Sequence, residues 1–87
     1  MIIETKIFDE NGNTIMNNVK DGNPAFFFLD FPSLPLVNDP VLIHDGNARG
    51  EYVVSKIVHE IKESKALPIM ILHRKPLEDG IRIAIDN

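Results

Sequence analysis

Cysteine is absent from the chain, so a disulfide framework, a thiolate metal site and a thiol nucleophile are all excluded. At 87 residues, a single core has to hold by packing alone or with help from an oligomer interface. Long apolar runs are missing too. No stretch approaches the roughly 20 residues that span a bilayer. The N-terminal segment Met1-Ile2-Ile3-Glu4-Thr5-Lys6-Ile7-Phe8 alternates and carries an early acid, where a secretory leader would show a basic region and then an apolar run. The expectation is one cytoplasmic domain.

Enzymatic signatures are also lacking. There is no Gly-rich phosphate loop, no Gly-x-Ser-x-Gly elbow and no His-Glu-x-x-His. Ser33, Ser55 and Ser64 have no identifiable base nearby. The acid pairs Asp9-Glu10 and Glu78-Asp79 fall in turn-like segments, where solvated carboxylates favour bends over catalysis. A protein that is not an enzyme and carries no cofactor is expected. Nor is there an excess of positive charge: the formal charge is −4. Residues 1–51 carry a net −5 and residues 52–87 a net +1, with the later bases interleaved among acids. That balance speaks against general nucleic-acid binding, which normally requires a basic surface.

What the chain does have is short Ile-, Val- and Phe-rich runs punctuated by glycines that follow Asn or Asp: Asn11-Gly12, Asp21-Gly22, Asp45-Gly46 and Asp79-Gly80. Such pairs favour tight turns and hairpins, because both residue types tolerate the left-handed backbone region. The runs predict strands over residues 2–8, 14–19, 25–29, 40–44, 51–62, 69–75 and 81–85, with a turn at 9–13. The proline-rich residues 31–39 form a loop, since Pro32, Pro35 and Pro40 cannot donate to a ladder. The fold class is all-β: a small, partly open barrel or sandwich of six to seven short antiparallel strands. Residues 52–63 leave an alternative. Val54, Ile57, Val58 and Ile61 fall at i, i+3, i+4 and i+7, the spacing of an amphipathic helix, which would make the class α+β. The aliphatics there are all β-branched, which favours strand.

The stretch Leu34-Pro35-Leu36-Val37-Asn38-Asp39-Pro40-Val41-Leu42-Ile43, followed by Tyr52-Val53-Val54-Ser55-Lys56-Ile57-Val58-His59, resembles a pattern in small bacterial and phage β-barrel proteins. There a P-x-v-g-D-x-V-x-I entry strand precedes Y-x-V-x-x-V-x-H. The match covers under half the chain, and it departs from the pattern at Asn38, where glycine is usual, and at Pro40. The resemblance implies a small SH3-like or related barrel and implies no activity. A chain this short and rich in Asn and Ile fits a phage or mobile-element accessory protein.

Two sets of candidate site residues follow. The aromatic run Phe26-Phe27-Phe28-Leu29-Asp30-Phe31 points rings both ways along a strand, and Leu34 and Leu36 follow it. Phe27, Phe31, Leu34 and Leu36 are therefore candidate interface residues, either for a protein partner or for self-association into a homo-oligomer; an open strand edge is a second route. The bland alternative is that the rings simply form the core. The second set is His59, His73, Arg74, Lys75 and Arg82, a candidate site for a small ligand or nucleotide at a subunit interface. If residues 51–62 and 69–75 close a hairpin around Ala66, His59 lies opposite His73. His44 then pairs near Glu51 or Tyr52, at the other end of the long strand. The seven residues between put it roughly 23 Å from His59 at ~3.3 Å per residue, so three histidines do not converge on a metal.

Overall fold

The computed structural model describes residues 1–18 and 24–75. Its strands are β1 (Ile2–Phe8), β2 (Thr14–Ile15), β3 (Phe27–Asp30), β4 (Pro40–Ile43), β5 (Gly50–Lys62) and β6 (Lys65–Arg74). They form one curled sheet in the order β2-β1-β6-β5-β4, with β3 joining the other half of the β1 edge that β2 uses. The result is a half-barrel, and among the described residues it holds no helix. The expected strand over 81–85 and the turns at Asp21-Gly22 and Asp79-Gly80 lie outside the described residues.

Alternation along each strand divides the sheet into two faces. Ile3, Thr5 and Ile7 of β1 point into the concave face with Phe27, Tyr52, Val54, Met70 and Leu72, and all are buried. Thr5 enters this apolar core without cost to its hydroxyl, which donates to the Ile3 carbonyl at 3.0 Å. Ala48, in the loop between β4 and β5, closes the core from below.

The β5 segment is a strand, so the helix alternative for residues 52–63 is overturned. Its helix-like spacing has a specific cause. The β5–β6 ladder runs from Tyr52↔Arg74 to Val54↔Leu72, shifts register between Val54 and Lys56, and resumes at Lys56↔Ile71. The bulge at Ser55 flips the phase, placing Ile57 three residues after Val54 on the same concave face. A three-residue step in a strand thus imitates a helical turn.

Two further expectations are corrected. The sheet is mixed, because β1 and β6 pair in parallel from Glu4↔Ile69 to Phe8↔His73. And the β5–β6 turn is centred on Glu63 and Ser64, with φ of 51° and 64°, giving the ladder Lys62↔Lys65, Ile61↔Ala66 and His59↔Pro68. Two consecutive left-handed residues build the twist that a two-residue hairpin needs. Glu-Ser lacks the Asx-Gly signature, so the sequence pattern points to a turn at Ala66, too late in the chain, and starts β6 too late with it. Pro68 fits this register, since β1 takes up pairing with β6 only from Glu4↔Ile69 onward.

Candidate interaction surface

Among the described residues, the half-barrel leaves two sheet edges unpaired, one on each side of a shared groove. There β3 pairs only with β1, and β4 only with β5. Which backbone groups are free follows from the ladder pattern. The Phe31 amide donates to the Met1 carbonyl at 2.8 Å, and the Met1 ammonium donates back to the Phe31 carbonyl, so Met1 and Phe31 form a hydrogen-bonded pair. Pairs alternate, so Leu29 and Phe27 also bond to β1, while Phe28 and Asp30 turn their N–H and C=O groups outward. On the other edge, the Val54 amide donates to the Asp39 carbonyl at 2.9 Å. Val41 and Ile43 then bond to β5, and Pro40 and Leu42 face out. Pro40 has no N–H to leave unsatisfied there, which is where an edge strand tolerates proline.

Between the edges lies an open groove of about 470 Å³, lined by Phe27, Leu29, Asp30 and Phe31 on one side and by Val41, Ile43, His44, Asp45 and Ala48 on the other. A second depression continues from it beneath residues 31–39. It shares Phe31 and Val41 with the first and adds Leu34 and Leu36. The four predicted interface residues thus line one seam, at different depths. Phe27 is 9% exposed and belongs to the core floor, Phe31 and Leu34 are half-buried against that core, and Leu36 is 71% exposed. Leu29, Val41, Ile43 and Ala48 are seam residues that sequence reasoning missed. Alternation in Phe27-Phe28-Leu29 and Val41-Leu42-Ile43 carries that signal, but only pairing reveals that these two strands are edges.

Asn38, with φ of 77°, shapes the seam's far end. Its amide donates to the Val54 carbonyl at 2.8 Å, and Asp39 accepts from the Leu36 amide at 2.9 Å through Oδ2. This local turn delivers the chain into β4 and holds Leu36 outward.

The described members of the second predicted set are not brought together at one point. His59 lies opposite Pro68 on β5, and His73 lies opposite Val53, stacked on the Phe8 ring at 5.1 Å between centroids. Among the described residues, no group of three His, Asp or Glu side chains is placed to share a metal ion. Arg82 lies outside the described residues. Lys75 lies 3.8 Å from Glu51. Arg74 caps the lower end of the core: its guanidinium donates to the Arg49 carbonyl at 3.0 Å and to the Tyr52 hydroxyl at 2.8 Å, and lies 3.8 Å from Glu10. The Tyr52 hydroxyl in turn donates to the Ala48 carbonyl at 2.6 Å.

The convex face carries a smaller apolar patch of Ile2, Phe28, Leu67 and Ile69 around a depression of about 260 Å³, bordered by Glu4, Glu60 and Lys62. Lys62 bonds to Glu60 at 3.0 Å, and that hydrogen bond, with the carboxylate's charge, raises the lysine pKa above its ordinary value. No helix is long and apolar enough to cross a membrane among the described residues.

No protein-family model, curated protein or solved structure matches this chain.

Proposed function

We propose that this chain is a non-catalytic interaction or assembly module that takes up an extended strand at the seam between β3 and β4. The observation that carries the reading is the juxtaposition, across one apolar groove, of two strand edges that are free among the described residues. Phe28, Asp30 and Leu42 offer backbone donors and acceptors, while Phe27, Leu29, Phe31, Val41 and Ile43 offer sites for alternate side chains. Strand addition uses both at once: main-chain bonds give affinity, and alternate pockets give selectivity. Phe31, Leu34 and Leu36 extend the surface beyond the ladder.

Selection of displayed random peptides on the folded chain tests this. Selected peptides are expected to alternate apolar residues and to slow amide exchange at Phe28, Asp30 and Leu42. A Leu42→Pro variant should lose that binding while keeping the far-UV circular dichroism and the exchange protection of Ile3 and Leu72. Peptides that protect the convex face instead, or that bind the folded Leu42→Pro variant as well as the parent, would contradict the reading.

A further inference from the structure

The seam has an electrostatic character that its apolar floor does not show. Among its described lining residues are two acids, Asp30 at the end of β3 and Asp45 just beyond β4, together with His44, but no lysine or arginine. The half of the sequence that builds both edges, residues 1–51, is the half with a net charge of −5. Asp30 is partly balanced by the N-terminal ammonium at 3.0 Å, whereas Asp45 has no ion-pair partner among the described residues.

Charge placed at a strand edge decides what can pair there. Two copies of this chain meeting edge to edge would bring two acidic rims together, and like charges beside a ladder oppose pairing. An incoming strand whose solvent-side residues are basic would meet the opposite sign on both rims. Resting on the strand-addition reading, we infer that the partner is an extended segment of another protein in which β-branched or aromatic residues alternate with Arg or Lys. The apolar residues enter the groove over Phe27, Leu29, Val41 and Ile43, and the basic residues stay at the rim near Asp30 and Asp45. Arginine suits that position because its guanidinium can bond a carboxylate through two N–H groups while the strand keeps its ladder.

The test uses the full chain and two synthetic peptides, one alternating Val with Arg and its twin alternating Val with Glu. Affinity is read by titration, and the site by residue-resolved amide exchange. The Val/Arg peptide is expected to bind about tenfold or more tightly than its twin, to weaken as salt rises, and to protect Phe28, Asp30 and Leu42. In the variant Asp30→Asn with Asp45→Asn, the preference should fall to about twofold or less. Equal affinity of the two peptides at the seam would overturn the charge inference and leave strand addition standing. Failure of both peptides to protect Phe28, Asp30 and Leu42 would overturn both. If those amides are already protected in the chain alone, the seam has another occupant and the inference fails. A dimeric mass would then identify a second copy, and a monomeric mass the chain's own residues, of which 81–85 (Ile-Arg-Ile-Ala-Ile) have the required alternation.

Discussion

Gly50 and Arg74 meet where β5 begins, and each constrains the other. Gly50 adopts φ of 153°, and a Cβ built on it would sit 3.1 Å from Arg74 Nε. Gly50→Ala should therefore destabilise the fold by about 1–3 kcal/mol in chemical denaturation, through backbone strain and displacement of the guanidinium. A loss below experimental error would show that the arginine tip simply moves aside. Tyr52 is the other fixed point: its hydroxyl accepts from Arg74 and donates to the Ala48 carbonyl. Tyr52→Phe should cost about 1–2 kcal/mol, because it leaves a buried carbonyl without its donor. None of this was legible in the sequence. Arg74 reads there as one of several C-terminal bases, and nothing in Gly50 or Tyr52 says that a residue more than twenty positions later folds back onto them.

Most of the strands were legible, because each carries a period-two pattern or a β-branched run. The failures lie where one residue breaks the period. Ser55 inserts a bulge and turns the β5 pattern into a false helical one. Thr14–Ile15 alone forms the second strand, shorter than residues 14–19 suggest, and β3 begins at Phe27 rather than residue 25. The Glu63-Ser64 turn holds two non-glycine residues at positive φ, a conformation that costs each of them something. The paired substitution Glu63→Asn with Ser64→Gly should raise stability by about 1 kcal/mol in a urea titration. An unchanged or lowered midpoint would mean that the turn adds nothing to the folded hairpin. On the same arm, Lys62 should titrate above the ordinary lysine value by NMR, since Glu60 favours its charged form. The sign follows: the pair's small contribution is present below the ordinary lysine pKa and is lost as pH rises through the raised one. Because both groups are largely solvent-screened, the effect on overall stability should be slight.

At the scale of the molecule, the curl of one mixed sheet brings β3 and β4, distant in strand order, to opposite sides of a groove. The sequence singled out Phe27, Phe31, Leu34 and Leu36, because an aromatic run followed by prolines and leucines is unusual in so short a chain, and the fold places these four along the groove, Phe27 as part of the core floor. The sequence could not reveal the seam itself, which depends on which strands remain unpaired and so on contacts far apart in the chain. The central claim is that the edges of β3 and β4 are open to another strand. Residue-resolved amide exchange of the dilute chain tests it most directly, comparing neighbours within each edge strand. Phe28, Asp30 and Leu42 should exchange orders of magnitude faster than Leu29 and Val41, which bond inward to β1 and β5. Equal, slow exchange at all five positions would show that the seam is already filled and contradict the account.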